Sequence, residues 1–139
     1  MRKLIADYMV ESKRVAPHVT SMVEADVTNI FKWRKFNKDA FHKKYGQKLT
    51  FTPIFIHAII QSIKDFPMIN VSVDGTNIIV KKNINIGMAV ALPSGNLIVP
   101  VIKNADRLNL VGLTESVNDL AGRARNNQLK PQEIQDGSF

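Results

Sequence analysis

Two prolines bracket the stretch that most restricts what this chain can become. Thr52-Pro53 precedes, and Phe66-Pro67 ends, a segment in which Ile54, Phe55, Ile56, Ile59, Ile60 and Ile63 leave little polar surface. Thr52 offers a capping hydroxyl, and Pro53 fits the first helical position, where its missing N–H is not needed. Pro67 prevents continuation. The pattern predicts a helix from Ile54 to Phe66 that is apolar almost all round and therefore the most buried of the fold. Its most apolar run, Ile54 to Ile60, is far too short to span a bilayer. Such a helix has to be wrapped by other layers, and the rest of the chain must supply them.

Leu4, Ile5, Tyr8 and Met9 recur at helical spacing from Arg2 to about Arg14, and Pro17 stops that helix. His18 to Val27 alternates, with Val19, Val23 and Ala25 on one face, and reads as a strand. Thr28 is placed to cap a second helix running to about Tyr45, with Gly46 as its stop. That helix has a basic side, with Lys32, Arg34, Lys35, Lys38, Lys43 and Lys44, and an apolar side, with Ile30, Phe31, Trp33, Phe36 and Phe41. Ile69 to Val73 and Ile78 to Lys81 flank Asp74-Gly75 and read as two short strands joined by a tight turn. Ile84 to Leu92 and Leu97 to Lys103 are two further β-rich runs about Pro93-Ser94-Gly95-Asn96. Leu110, Leu113, Val117, Leu120, Ala121 and Ala124 mark one face of a last helix that ends before Lys130-Pro131. Ile134 to Phe139 reads as a turn entering a strand. No repeat, low-complexity stretch or linker divides the chain. The fold class is α/β (α+β): a mixed sheet, not simply doubly wound, with packed helices.

A chain of 139 residues is long enough for one domain with its own core. The formal charge is +7, and eleven Lys/Arg against five Asp/Glu fall within residues 1–50. A basic N-terminal third points to an anionic partner, whether a phosphate-bearing cofactor, nucleic acid or an acidic protein; the alternative is a solvated surface kept soluble by lysines. Met1-Arg2-Lys3-Leu4 runs straight into an amphipathic pattern with Asp7 and Glu11 and lacks the apolar block of a signal peptide. The absence of cysteine excludes a disulfide framework and thiolate metal sites, and fits a reducing compartment.

The titratable groups assemble no recognisable catalyst. His57 lies in the apolar helix and reads as a satisfied core histidine. His18 follows Pro17 and is free to bond locally or line a pocket. His42 sits among lysines and reads as exposed. No His pair has metal-ligand spacing, and neither a Gly-x-Ser-x-Gly elbow nor a Walker loop occurs.

Several ordered segments are more specific. Arg2-Lys3-Leu4-Ile5-Ala6-Asp7-Tyr8-Met9-Val10-Glu11-Ser12 is followed by Pro17-His18-Val19-Thr20. Glu24-Ala25-Asp26-Val27-Thr28 precedes Arg34. Phe66-Pro67-Met68-Ile69-Asn70-Val71-Ser72 has the form Phe/Pro-x-x-Asn-x-Ser. Asn85-Ile86-Gly87-Met88-Ala89-Val90, Pro93-Ser94-Gly95 and Leu97-Ile98-Val99-Pro100-Val101-Ile102-Lys103-Asn104 then follow. Taken in order, and covering almost the whole chain, they resemble the catalytic domain of the 2-oxo acid dehydrogenase acyltransferases.

The resemblance implies a chloramphenicol-acetyltransferase-like fold, with residues 1–139 as the N-terminal part of one catalytic domain, C-terminally truncated, and no second domain. It implies acyl transfer (acetyl, succinyl or branched acyl) between a lipoyl arm, carried on a separate domain, and coenzyme A as substrate. In the family the base is the histidine of a His-x-x-x-Asp-Gly motif, and a hydroxyl residue stabilises the tetrahedral oxyanion. Both follow the point that Phe139 matches, and none of His18, His42 and His57 stands in that motif. The implied catalytic residues in this chain are therefore none, the implied metal none, and the chain alone is read as inactive. Coenzyme A carries phosphates, so cations must line its path. Arg34 is the first candidate from its motif position, then Lys35, with Ser12, Arg2 and Lys3 behind. Ala91 stands where the family commonly has Asp, and Ser94 near an acidic or amide position. The implied partners are further copies of the chain, as the family's trimer or an edge-paired dimer, together with the lipoyl domain and other components of the complex, with no nucleic acid and no membrane. The implied compartment is the bacterial cytoplasm or the mitochondrial matrix. A non-catalytic scaffold is the first alternative. A nucleic-acid-binding basic domain is the second, although Trp33 and Phe36 fall where a core face is expected.

Overall fold

A computed structural model describes residues 2–139, with side chains from Lys3 onward. Four α-helices form: α1 (Arg2–Val15), α2 (Thr28–Tyr45), α3 (Thr52–Asp65) and α4 (Leu110–Arg125). Six short strands lie between α3 and α4: β1 (Val71–Asp74), β2 (Asn77–Val80), β3 (Ile86–Gly87), β4 (Val90–Ala91), β5 (Leu97–Ile98) and β6 (Val101–Ile102). Asp74 pairs with Asn77 across Gly75-Thr76, so β1 and β2 form the tight antiparallel hairpin that the sequence predicts. Gly75 supplies the positive φ of that turn, +58°.

The longer β-rich runs form one antiparallel ribbon. Ile86 pairs with Ile102, Gly87 with Val101, Val90 with Ile98 and Ala91 with Leu97, all in one continuous register. The ladder breaks between the two pairs because Pro100 has no N–H to give. Its carbonyl still accepts the Met88 N–H at 2.9 Å, which holds the register across the gap. At the far end Leu92 N–H donates to Asn96 O at 2.8 Å, closing the Pro93–Asn96 turn.

α3 and α4 pack on each other, and their apolar stripes meet the inner face of the ribbon. Ile56, Ile60 and Ile63 of α3, Leu113, Val117, Leu120 and Ala124 of α4, and Ile84, Ile86, Met88, Val90 and Ile102 form one core. Each buried Leu or Ile of this kind contributes about 1.5–3 kcal/mol. Asn109 starts α4 by accepting the Gly112 N–H on Oδ1 at 3.0 Å.

Six sequence expectations are corrected. α3 is not buried all round: Pro53, Ile56, Ile60 and Ile63 form one stripe, while Phe55, His57, Ala58, Gln61 and Ser62 are exposed. His57 is therefore a surface residue, because the isoleucines that reach the core keep a single helical period. Residues 18–27 form no strand; they are exposed, with Val19, Met22 and Val23 above 90 %, and have no pairing partner among the described residues. The capping oxygen of α2 belongs to Asp26, which accepts the Thr28 N–H at 2.8 Å, and α3 starts after Phe51 with no side-chain cap. α2 buries none of its residues, and Phe36 is 86 % exposed where a core face was expected. Gly46 ends α2 as predicted, with φ +67° and its N–H on His42 O at 2.8 Å.

The C-terminal residues are held by Asn85. Its Nδ2 donates to Asp136 O at 2.8 Å, and its Oδ1 accepts the Asn104 N–H at 2.9 Å. Its backbone N–H donates to Ser138 Oγ at 3.0 Å, and its carbonyl accepts from Ser138 N at 2.8 Å. Phe139 then lies beside β3: its N–H donates to Asn85 O at 3.2 Å, and its carbonyl accepts from Gly87 N at 2.8 Å. That alternation is the parallel pattern. A Cβ at Gly87 would press the Val99 side chain, with Cγ1 at 3.1 Å, and would leave Phe139 O in ordinary contact at 3.5 Å.

Asn85→Ala strands the Asn104 N–H and the Asp136 carbonyl, and is expected to cost about 2–4 kcal/mol in urea unfolding. Ser138→Ala, which removes the acceptor of the Asn85 N–H and the hydroxyl's contacts with Asn83 O and Asn85 O, is expected to cost about 1–3 kcal/mol. Equal stability of the Asn85 variant and the parent would remove this residue from its role. A second expectation concerns Arg123, which donates to both Asp119 and Glu133. The guanidinium, helped by the Lys130 N–H, holds Glu133 down from 4.5 to about 2. The folded state thus keeps Glu133 ionised where the unfolded chain would protonate it. Its contribution is complete above pH 4.5 and is lost as pH falls through about 2. Glu133→Gln is expected to flatten that part of the acid-unfolding curve, and an unchanged curve contradicts the assignment.

Candidate functional site

The segment Gln47–Phe51 crosses between α2 and α4 and is fixed from both sides. From α2, Arg34 Nε donates to Leu49 O at 2.9 Å, and its guanidinium carbon lies 4.7 Å from the centre of the Phe51 ring. From α4, Asn118 Nδ2 donates to Gln47 Oε1 at 2.9 Å and to Lys48 O at 3.2 Å. Leu49, almost fully buried, anchors the middle. A backbone stretch without regular structure is thereby tied to both helices.

Clefts open along this segment. One, of about 330 Å³, is lined by Arg34, Lys38 and His42, with Asp39, Lys48 and Leu49. Arg34, Lys38 and His42 follow one another at four-residue spacing and so share a face of α2. The other, of about 540 Å³, lies among the start of α3, β4 and α4. Its polar wall is Lys48, Thr50, Thr52, Asn118 and Arg125, and Met88, Val90, Ala91 and Val117 are among its apolar residues. Lys48 lines both. Of the four cations Arg34, Lys38, Lys48 and Arg125, none is in an ion pair among the described residues, whose paired cations are Arg14, Lys103 and Arg123. Asp39 is the single carboxylate on either wall. Unpaired cations around a partly apolar cleft attract an anion with an apolar body.

The candidates named from the sequence separate. Arg34 lines the first cleft and is half-buried. Lys35 is the next residue on α2, exposed, and does not line either cleft. Lys3 and Ser12 are exposed on α1 and line neither; the Arg2 side chain lies outside the described residues. Lys38, Lys48, Thr50 and Arg125 were missed. Lys38 could have been found by counting one turn from Arg34. Nothing local marks Lys48, Thr50 or Arg125, which meet only through the fold. Of the histidines, His18 bonds locally, its Nδ1 2.7 Å from Ala16 O, and His42 is exposed as expected. Groups of three or more His, Asp and Glu able to hold a metal ion do not occur among the described residues. No described helix is long and apolar enough to cross a membrane.

Thr50 Oγ1 is buried without a hydrogen-bond partner. Thr50→Val keeps the shape and removes an unpaired hydroxyl, so stability is expected to hold or rise by about 1 kcal/mol. A clear loss in urea unfolding would mean that the hydroxyl is bonded in solution.

Comparison with known proteins agrees with the segments read from the sequence. Residues 1–139 match the family 2-oxoacid dehydrogenases acyltransferase (catalytic domain). Two relatives come from Bacillus subtilis. The lipoamide acyltransferase component of the branched-chain alpha-keto acid dehydrogenase complex is 42 % identical over 139 residues, which is 100 % of this chain and 32 % of that protein. The dihydrolipoyllysine-residue succinyltransferase component of the 2-oxoglutarate dehydrogenase complex is 39 % identical over 138 residues, 99 % of this chain and 33 % of that one. The chain thus spans about a third of the length of these relatives. Among solved structures, a probable dihydrolipoamide acetyltransferase from Listeria monocytogenes superposes with a TM-score of 0.88 at 40 % identity, over 99 % of this chain and 58 % of that one. The mixed helix-and-sheet fold is that of these acyltransferase cores, and the chain belongs to the 2-oxoacid dehydrogenase acyltransferase family.

Proposed function

We propose that this chain provides the coenzyme A-binding part of an acyltransferase site, which passes an acyl group between a lipoyl arm and coenzyme A within a 2-oxo acid dehydrogenase complex. The observation that carries this reading is the strip of unpaired cations, Arg34, Lys38, Lys48 and Arg125, along the two clefts beside Gln47–Phe51. Coenzyme A presents phosphates at one end and a thiol on a long, less polar arm at the other. Cations beside an apolar wall suit such a molecule. Arg34 has its Nε committed to Leu49 O, which leaves the terminal nitrogens of a planar fork for a phosphate.

The reaction is attack of a thiolate on a thioester, through a tetrahedral oxyanion that expels the second thiol. It needs a base for the incoming thiol and a donor for the oxyanion. The cleft walls carry cations and hydroxyls, and their one histidine, His42, stands outside the His-x-x-x-Asp-Gly motif. In this reading the 139 residues bind and orient, while the base and the donor come from family segments that these residues do not match. The acyl group in this reading is acetyl, succinyl or branched acyl, since relatives of all three kinds are 39–42 % identical to this chain.

Titration calorimetry tests the binding half. Arg34→Ala is expected to cost about 1.5–3 kcal/mol in coenzyme A affinity, with a smaller loss for dephospho-coenzyme A. Equal losses for the two would trace to the broken Leu49 contact instead, and no loss would sink the assignment. A thiol-release assay with acetyl-coenzyme A and dihydrolipoamide tests the other half. The 139-residue chain is expected to show only the uncatalysed rate, and clear turnover would overturn the division of labour.

A further inference from the structure

α2 carries a second feature, next to the face that bears Arg34. A groove of about 270 Å³ runs between α2 and the first turn of α4, lined by Trp33, Phe41 and Tyr45 on one side and Leu110 and Val111 on the other, with Lys44 at its end. Trp33 is 45 % and Tyr45 41 % exposed. Trp33, Phe36 and Ala40 follow at the i, i+3, i+7 spacing of one helical stripe, so the open Phe36 ring extends the groove outward. Lys32 and Lys43 fall on the same side as Phe36, at i−4 and i+7 from it. α2 as a whole holds six Lys/Arg against Asp39 alone, and none of the six is in an ion pair among the described residues.

We infer that this groove is a docking site for an acidic, amphipathic peptide segment of another protein, whose apolar side fills the channel beside Trp33 while its carboxylates meet Lys32, Lys43 and Lys44. Charge selects the occupant. An apolar channel alone would accept any hydrophobic segment, but the flanking lysines favour carboxylates at its rim. A second copy of this chain, with a net charge of +7, matches the lysines less well than an acidic segment does. Nucleic acid is the competing occupant, because base stacking needs free ring faces and the Phe36 ring is 86 % exposed. Within the groove itself the Tyr45 ring is covered by Lys44 at 5.2 Å and meets Phe41 at 4.8 Å with a 54° tilt. No residue lines both the groove and the clefts beside Gln47–Phe51, although α2 borders the groove and the first cleft alike.

The chain has one tryptophan, and it lines the groove, so its fluorescence reports occupancy directly. The probe is a Glu-rich amphipathic helical peptide with one Phe anchor and no Trp, titrated into the 139-residue chain. Its Lys-for-Glu counterpart and a single-stranded oligonucleotide are the comparisons. The acidic peptide is expected to give a saturable blue shift that weakens with salt, and the two comparisons none. Lys43→Glu with Lys44→Glu is expected to weaken the peptide about tenfold or more. Ala40→Glu, at an exposed position that the fold does not need, is expected to abolish the shift with circular dichroism unchanged. Absence of a saturable shift, binding indifferent to Ala40→Glu, or equal binding of the oligonucleotide would each overturn the inference. The last of these would point to nucleic acid instead.

Discussion

Asn85 is the residue on which the arrangement turns. Its side chain and backbone join the ribbon to the loop at Asn104 and to the Asp136–Phe139 segment, stretches that lie 19 and more than 50 residues away. Both attached loops use a left-handed residue, Asn104 at φ +48° and Asp136 at φ +60°. A non-glycine residue in that region is strained, and it persists when its neighbours over-determine it. Among the described residues, Asn85 is one of three buried polar side chains, with Asn70 and Thr114. Both ends of its amide are bonded, so it specifies one geometry without leaving an orphan. Lys103 supports the same turn by donating to Gln135 O and to the Asp136 carboxylate, which holds that carboxyl below its usual range.

The clefts inherit their positions from this anchor. The ribbon, fixed at Asn85, gives α3 and α4 a surface on which to bury their stripes. α4 then presents Asn118 to Lys48 O, and α2 presents Arg34 to Leu49 O, so the crossing segment is located by helices rather than by its own backbone. Two loosely written stretches, 47–51 and 134–139, are made definite by hydrogen bonds from distant side chains. Cations without regular spacing in the sequence, Lys48 and Arg125, thereby face one space.

What was legible in the sequence follows the range of the interactions involved. Hairpins were readable because turn chemistry is local: Asp74-Gly75 and Pro93-Ser94-Gly95-Asn96 mark their own ends. The α4 face was readable because Leu113, Val117, Leu120 and Ala124 keep one period. The all-round apolarity of α3 misled, because composition does not say which side has a partner; Phe55 and Ala58 are as apolar as the buried Ile56, and yet exposed. Residues 18–27 misled for a related reason. Alternation states that a chain can pair, whereas pairing needs a ladder from another strand. At the site, Arg34 was found through a resemblance and not through its pattern. Thr50 and Lys48 carry no signal short of the fold.

Ala91 shows how one departure from the family pattern changes the chemistry of a cleft without changing its shape. It sits on β4 and lines the larger cleft together with Lys48 and Arg125. Where the family commonly has aspartate, a carboxylate there would share a small space with both cations and neutralise part of their field. At separations below the Debye length, about 8–10 Å at ordinary salt, that attraction is not screened away. With alanine the wall has two cations and no acid, so their charge is left for whatever enters. The backbone is indifferent to the exchange, because Ala91 only faces Leu97 in the ribbon, next to the Leu92–Asn96 hydrogen bond, and is exposed. A fold held by Asn85 and by apolar stripes therefore leaves position 91 free to vary, and with it the charge that an incoming anion meets.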